Sequence, residues 1–237
     1  MKVKIISILL GVMIWQGVSM QVNHALLLPS PLDCGIQILS LLKTESLYQS
    51  LVYTLWRAHL GFFLSFLLGF SFAFVSFRYP ILEKIIAPYI ALIQTIPQLS
   101  FIILFLFWFS RETTLLLVVF FLIFPLAYVE LLEGFKAIHQ DYLDLIEMSQ
   151  HHVAYLLKKA YIPLIWSNIQ SVLLSGLPLS LKVSVMAEVL VSSQKGIGFS
   201  LFYAKNNLDM VTVFSYTIIL VLIVITEMHL LSYFRRK

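Results

Sequence analysis

Long apolar segments separated by short polar ones constrain this chain more than any other feature. Of its 237 residues, 60% are hydrophobic and only 12% are charged, which is about half the charged fraction of an ordinary soluble protein. A bilayer is crossed by about 20 apolar residues in a helix, because a helix satisfies its own backbone hydrogen bonds. The sequence therefore predicts an all-α polytopic membrane protein.

The apolar runs predict six transmembrane helices in a single domain, 1–237. Their expected bounds are 5–20, 51–77, 81–109, 113–129, 163–193 and 210–231. The fifth span is expected to be interrupted by Gly176 and Pro178, and residues 194–209 are expected to form a polar external loop with Gly196 and Gly198. The first run could be a signal peptide, but no small-x-small cleavage site follows it, which favours a retained span. Residues 1–50 would then comprise the first span and an external loop with a short surface helix near 35–42, and residues 51–233 a five-span core. Cys34 is the single cysteine, so no disulfide framework is expected.

Basic residues predict the orientation. Six spans place both termini on the same side, and that side would hold ten of the sixteen Lys and Arg residues: Lys2, Lys4, Arg78, Lys84, Lys136, Lys158, Lys159, Arg235, Arg236 and Lys237. Basic loops stay in the cytoplasm, so both termini and the 141–163 loop are expected to be cytoplasmic. The net charge of +4 thus reports orientation and gives no reason to expect a nucleic-acid partner.

The 141–163 loop is polar and amphipathic. Its helical spacing predicts one face with Tyr142, Ile146, Ser149, Val153 and Leu157, and another with Asp144, Glu147, His151 and Lys158. The pattern fits one helix or two short consecutive helices, closed by Pro163. Such a surface suits a soluble partner; the alternative is a helix lying on the bilayer without a partner.

Polar residues interrupt the third apolar region. Gln94, Thr95, Gln98 and Ser100 surround Pro97, which frees a backbone carbonyl in the middle of a span. Such a carbonyl is tolerated only where protein or water can satisfy it. These residues are candidates for a transport path, with an internally hydrogen-bonded kink as the alternative.

Charged residues within the spans form a second candidate set. Lys182 and Glu188 should face protein or a water-filled cavity. They lie about 240° apart around a straight helix, so they could pair only if the Pro178 region bends or interrupts it. Lys182 could instead bind an anionic substrate or a carboxylate on another span. Arg57 and His59 are expected to extend to the membrane interface, as are Glu130, Glu133 and Glu227.

No pattern in the chain indicates an enzyme. The sequence has no GxxxxGK[ST] phosphate loop, no metal-ligand spacing and no nucleophile–base set. We therefore expect no catalytic residue, metal or cofactor.

Several segments resemble the permease subunits of ATP-binding-cassette importers. Glu147-Met148-Ser149 and Tyr161-Ile162-Pro163 resemble the two halves of the family's cytoplasmic loop signature. LLPSP from Leu27, QTIPQLSFIILFLFWF from Gln94 and LKVSVMAEVLVSSQKGIGFSL from Leu181 are similar to the branch that imports sulfonates, nitrate, taurine and thiamine precursors. Val153 stands where the family has a glycine, and Pro163 arrives about three residues early, so the motif acid is either Glu147 or Asp144.

The resemblance implies a multi-pass subunit of a bacterial inner membrane that carries a small organic anion or a thiamine-type precursor. Its expected partners are cytoplasmic ATPase subunits, which would hydrolyse the ATP, a second permease copy and an extracytoplasmic substrate-binding protein. The ATPase would bind the loop as a coupling helix through Asp144, Glu147, Met148, Ser149, His151, Val153 and Tyr155. The transport path would include Gln94, Pro97, Gln98, Ser100, Lys182 and Glu188, where Glu188 matches a recurrent acidic position with a structural or gating role.

Two other functions fit the residues. An ion-driven secondary transporter would use Lys182 and Glu188 as its coupling pair and would need no ATPase. A membrane scaffold or sensor would use the 141–163 loop to bind a partner and would transport nothing.

Overall fold

The computed structural model describes residues 2–22, 24, 26–149 and 151–235, and all regular structure within these ranges is helical. The helices are α1 (Lys2–Val22), α2 (Pro31–Leu41), α3 (Glu45–Arg78), α4 (Pro80–Thr95), α5 (Gln98–Trp108), α6 (Arg111–Lys136), α7 (Gln140–Met148), α8 (Val153–Leu156), α9 (Ile162–Leu164), α10 (Trp166–Val191), α11 (Ile197–Asn206) and α12 (Met210–Arg235). A π-helical turn, Leu157–Tyr161, joins α8 to α9. The all-α prediction is confirmed.

Four of the described helices are long and apolar enough to cross a membrane: α3, α6, α10 and α12. Helices α4 and α5 together form a fifth candidate span, bent by 98° at its break. The apolar part of α1, Leu9–Val22, is shorter than a span, although Trp15 packs against Phe214 of α12. The membrane-protein class therefore stands, while the sixth span stays a prediction.

The direction of α3 and α6 explains why the bent pair must cross the bundle. Gly61 lies against Val119 and Gly69 against Ala127, so the two helices run parallel. A Cβ atom on Gly61 would lie 2.6 Å from Val119 Cγ1, which shows how closely the helices approach. Because α3 and α6 run the same way, the chain between them must return from one end of the bundle to the other.

The returning segment consists of two helices, α4 and α5. At 1.5 Å per residue, α4 is about 24 Å long and α5 about 16 Å, so neither reaches across a bilayer core of about 30 Å alone. Pro97 stands at the start of α5, and its ring prevents the preceding residue from continuing the helix. The interruption expected near Pro97 is thus a right-angle bend.

Helix α10 runs antiparallel to both α3 and α6, since Gly176 contacts Phe62 while Gly134 contacts Asn168. The helix continues through Gly176 and Pro178, so the expected interruption there is wrong. At the far end of this bundle, Phe74, Phe135 and Tyr161 form an aromatic cluster. We call this the α7 end; the opposite end, with Arg57, Glu112 and Glu188, is the α11 end.

Three other boundaries differ from the prediction. Helix α3 begins at Glu45 rather than near residue 51, so the expected external loop is shorter. Residues 194–209, expected as a polar loop, contain α11. Pro163 does not close the preceding segment but lies within α9; the π-helical turn before it lets the backbone pass a residue that lacks an N–H group.

Helix α2 is not a free surface helix, because one side of it packs on α12. Ser215 Oγ donates to the carbonyl of Cys34 at 3.3 Å, and the amide of Gln37 donates to Thr212 Oγ1 at 3.0 Å. Cys34 is fully buried in this contact. The segment before the first long span is therefore anchored to the last one.

Candidate functional site

A buried ion pair lies at the α11 end, where α3, α10 and α11 meet. Arg57 Nη1 donates to Glu188 Oε1 at 2.7 Å, and the two residues are 2% and 0% exposed. Thr54 Oγ1 lies 3.0 and 2.8 Å from the two carboxylate oxygens, and the backbone N–H of Gly198 donates to Oε2 at 2.9 Å. Both oxygens of Glu188 therefore have partners within the fold.

The remaining donors of Arg57 extend this network to the exposed rim of the α11 end, at Glu112. Nε and Nη2 bind both carboxylate oxygens of Glu112 at 2.9 and 2.7 Å, and Nη1 also donates to the carbonyl of Lys195 at 2.8 Å. The Glu112 side chain is 65% exposed. Arg57 thus joins α3, α6, α10 and the chain before α11, and the expectation that it extends to the membrane interface is wrong.

The energetics of this pair follow from its burial. Removing one partner of a buried ion pair leaves an unpaired charge and costs about 3–5 kcal/mol, whereas a well-exposed pair contributes about 0–1 kcal/mol. The Arg57–Glu188 contact is a buried ion pair of the costly kind, whereas the Arg57–Glu112 contact is closer to an exposed pair. Loss of Glu188 is therefore expected to destabilise the fold more than loss of Glu112.

Two glycines explain how α11 reaches the carboxylate. Gly196 has φ of +115°, a conformation that residues with a side chain rarely adopt. A Cβ atom on Gly198 would overlap Glu188 Cβ and lie 2.6 Å from the carbonyl oxygen of Val185. The glycines that suggest a loop in the sequence are instead required by the close contact between α10 and α11.

Lys182 does not take part in this network. It is exposed and lines a groove of about 500 Å³ between α10 and α12, where Thr217 is the neighbouring polar side chain and Val185 and Val221 are among the apolar ones. Since Glu188 is bound to Arg57 and Thr54, the Lys182–Glu188 pair required by an ion-driven carrier is not formed. The two residues have separate environments on one helix.

The polar residues near the bend are only partly brought together. Gln94 and Pro97 are exposed, while Gln98 and Ser100 are half-buried. Gln94 lines a cavity of about 280 Å³ between α4 and α6, on a different groove from that of Lys182. Within this single chain the two candidate parts of a transport path therefore line separate surfaces.

The 141–163 segment is helical in two stretches, α7 and then α8 continuing through the π-helical turn into α9, which resembles the second of the two arrangements expected. Ile146 is 8% exposed and packs into the core, whereas Met148 and Val153 are 79% and 61% exposed. Helix α7 ends at Met148 and α8 starts again at Val153. The predicted common face of Ile146 and Val153 is therefore not formed, because the break changes the register between the helices.

The other predicted coupling residues lie on the same segment. Asp144 is exposed and accepts a hydrogen bond from the Gln140 amide at 2.9 Å. Ser149 Oγ donates to the carbonyl of Ile146 at 2.7 Å. His151 packs on Tyr155 with ring centroids 4.6 Å apart, and both side chains are exposed. The side chain of Glu147 lies outside the described part of the structure.

Sequence reasoning missed the roles of Arg57, Thr54 and Glu112. The available signal was the charge of Arg57 within an apolar run, which by the reasoning applied to Lys182 calls for a buried partner. A second missed contact joins His59 of α3 to Glu227 of α12, at 3.3 Å between Nε2 and Oε1. Among the described residues, no group of three His, Cys, Asp or Glu side chains is arranged to hold a metal ion.

Comparison with known proteins identifies the family. Residues 65–237 match the family described as "Binding-protein-dependent transport system inner membrane component". The chain belongs to this family. It is the permease subunit of an ATP-binding-cassette importer, and the expected resemblance is confirmed.

Three relatives are similar to this permease over most of its length. A Bacillus subtilis protein named as an aliphatic sulfonates transport permease, SsuC, is 26% identical over 200 residues, which are 81% of this chain and 70% of the relative. An ABC transporter permease protein of Methanocaldococcus jannaschii is 25% identical over 220 residues, 90% and 82% of the two chains. The taurine transport system permease protein TauC of Escherichia coli is 26% identical over 191 residues, 78% and 69% of the two chains.

Proposed function

We propose that this permease binds a separate cytoplasmic ATPase through α7 and α8 and conducts a small organic anion along a path that includes Lys182 and the bend at Pro97. The observation that carries the first part is the exposure of Met148 and Val153 on two short helices at the α7 end of the bundle. Exposed apolar side chains on amphipathic helices are typical anchors for a groove on a partner.

The connections of this surface suit the transmission of movement. Ile146 is buried and holds α7 against the core, and a three-residue connection links α7 to α6. On the other side, α8 continues through the π-helical turn and α9 into α10. A displacement of this segment by a partner would therefore move two spans together.

The orientation follows from charge. Arg78, Lys136, Lys158 and Lys159 lie in or next to the segments that form the α7 end. Because basic residues flank spans on the cytoplasmic side, we place the α7 end and both termini in the cytoplasm. The α11 end then faces outward, towards the extracytoplasmic binding protein that the family description implies.

The proposed path rests on polar groups that are exposed on membrane-spanning helices. Lys182 has no partner among the described residues and stands beside an apolar groove. Gln94 is exposed beside the bend. Charged and polar groups at membrane depth require water, substrate or a second protein surface, and a second permease copy facing these helices would supply an enclosed path.

The substrate class is supported by Lys182 and by two relatives. An ammonium group in an apolar setting favours an anion, and the names of two relatives specify aliphatic sulfonates and taurine. A small organic anion is therefore the substrate that we propose, with sulfonates the first to test.

The docking proposal is tested by co-purification of the ATPase with the tagged permease from native membranes. We expect Met148→Asp combined with Val153→Asp to abolish ATPase recovery, because both charges would enter an apolar interface. The matched control is Tyr203→Asp, which changes an exposed apolar side chain on α11 and should leave recovery unchanged. Equal recovery with the double variant and the control would refute the proposed docking surface.

The substrate proposal is tested by uptake in membrane vesicles with labelled taurine or an alkanesulfonate. Lys182→Gln should raise the KM by about tenfold, since a charge-assisted contact contributes about 1.5–3 kcal/mol, and Lys182→Arg should retain most uptake. Lys205→Gln on α11 is the control, because Lys205 is exposed outside the spans. Unchanged KM values for Lys182→Gln would remove Lys182 from the path.

A further inference from the structure

The α11 end contains a contact between α3, α10 and α11 around Glu188 that has no role in the transport path proposed above. We call this contact the joint. Glu188, near the end of α10, accepts hydrogen bonds from Thr54 and Arg57 of α3 and from the first turn of α11 at Gly198. The backbone N–H of Ile197 donates back to Thr54 Oγ1 at 2.8 Å. Three helices therefore share one buried hydrogen-bonded centre.

Packing around this centre leaves no room for the helices to slide. Gly196 and Gly198 bring the backbone of α11 against the Glu188 side chain, where even a methyl group would overlap. Ile197, between them, is fully buried. Relative movement of α10 and α11 would have to expose a carboxylate and a guanidinium that are both almost inaccessible.

Helix α11 also presents a surface to the outside of the bundle. Phe199, Tyr203 and Leu208 are exposed along or just after it. A helix with an exposed outer side and a rigid inner attachment can pass a force applied at its surface to the spans beneath. On α10, the attachment point is six residues from Lys182.

We propose that Arg57 is a positioning residue that holds Glu188 in place, so that α3, α10 and α11 move as one rigid body throughout the transport cycle. This inference rests on the proposed transport function. It assigns the Arg57–Glu188 pair to a permanent joint rather than to a gate that opens during the cycle. Movement during transport then occurs between this body and other elements, such as the bent α4–α5 pair.

The structure offers a direct test at a neighbouring contact between the same helices. Ser50 Oγ of α3 and Ser200 Oγ of α11 are 3.3 Å apart. A Ser50→Cys, Ser200→Cys variant is expected to form a disulfide on oxidation, with formation quantified by mass spectrometry. The native Cys34 is changed to Ser in every variant, and the reduced double variant is the matched control.

If the joint is permanent, vesicles with the oxidised double variant will transport substrate at the rate of the reduced control. Transport that stops on oxidation and returns on reduction would show that α3 and α11 must separate, and would overturn the proposal. Failure of the two cysteines to oxidise would also contradict it, because the contact would not persist in the membrane.

The role of Arg57 is tested in the same background. Arg57→Gln should lower uptake by about tenfold or more, because Glu188 loses its buried counter-charge, and Arg57→Lys should restore part of the loss. The decisive readout is rescue: oxidation of the cysteine pair in the Arg57→Gln variant should recover transport by holding α11 in place covalently. A cross-linked variant that stays inactive would overturn the positioning role.

Co-purification of the ATPase separates this inference from the proposed function. Arg57 lies at the α11 end, far along the bundle from α7 and α8, so each of these variants should recover the ATPase at the level of the unmodified permease. Loss of the ATPase from every variant and from the unmodified chain would refute the proposed function. Loss of rescue with the ATPase retained would refute only the joint.

Discussion

The two ends of this permease differ in how completely each satisfies its own side chains. At the α11 end, Glu188 and Arg57 are buried and hydrogen-bonded within the chain. At the α7 end, short helices leave Met148 and Val153 exposed. The comparison indicates that the buried charges of the α11 end are satisfied within one polypeptide, whereas the α7 end leaves apolar side chains exposed for the partner that we propose.

The largest expected effect comes from Glu188. Glu188→Ala should lower the free energy of unfolding by about 3–5 kcal/mol, because Arg57 and the N–H of Gly198 would lose a buried acceptor. The measurement is the melting temperature of the detergent-solubilised permease. Glu112→Gln is the control: its carboxylate is mostly exposed, so the loss should be about 1 kcal/mol or less. Equal losses for the two variants would contradict the distinction between the buried and the rim contacts.

A smaller effect is expected at the glycine that brings α11 onto α10. Gly198→Ala should lower the free energy of unfolding by about 1–3 kcal/mol, since the new methyl group would overlap Glu188 Cβ and the carbonyl of Val185. Gly35→Ala is a suitable control, because a Cβ atom there meets nothing within 4 Å. Thermal unfolding of both variants measures the difference. If Gly198→Ala unfolds at the temperature of the control, the joint is looser than the structure indicates.

The smallest effect on stability is expected at the α7 end. Met148→Ala should change the free energy of unfolding by no more than about 0.5 kcal/mol, as for most exposed positions, while weakening ATPase binding. Ile146→Ala, two residues earlier but buried, should lower stability by about 2 kcal/mol or more. Thermal unfolding and ATPase titration on the same samples separate the two quantities. A large loss of stability from Met148→Ala would mean that this end is already packed within the chain.

Several features were predictable from local sequence because the bilayer acts on each segment separately. A run of about 20 apolar residues must be helical whatever its neighbours are, which is why α3, α6, α10 and α12 follow from composition. Pro97 similarly predicts an interruption, because a proline restricts the residue before it. The amphipathic spacing after residue 140 predicts helices, although the change of register after Ser149 was not visible.

The ends of the spans were harder to predict, because polar residues there can bind the protein instead of solvent. The stretch with Gly196 and Gly198 has the composition of a loop, yet it contains α11, whose Gly198 N–H donates to Glu188 of α10. Arg57 was likewise expected to bind solvent at the membrane interface rather than another part of the protein. Its partner Glu188 is 131 residues away along the chain, and no local pattern indicates such a pairing.

The sequence by itself therefore determined that this protein is a helical membrane protein, where most of its apolar helices lie, and, through its resemblance to known permeases, its family. Only the tertiary structure decided that α3 and α6 run parallel, that the segment between them bends by 98°, and that Arg57 binds Glu188. The physical reason is the range of the forces involved. Burial of apolar side chains in lipid, with the backbone hydrogen-bonded inside its own helix, is decided within one segment. Glycine contacts and buried ion pairs exist only after distant helices have packed.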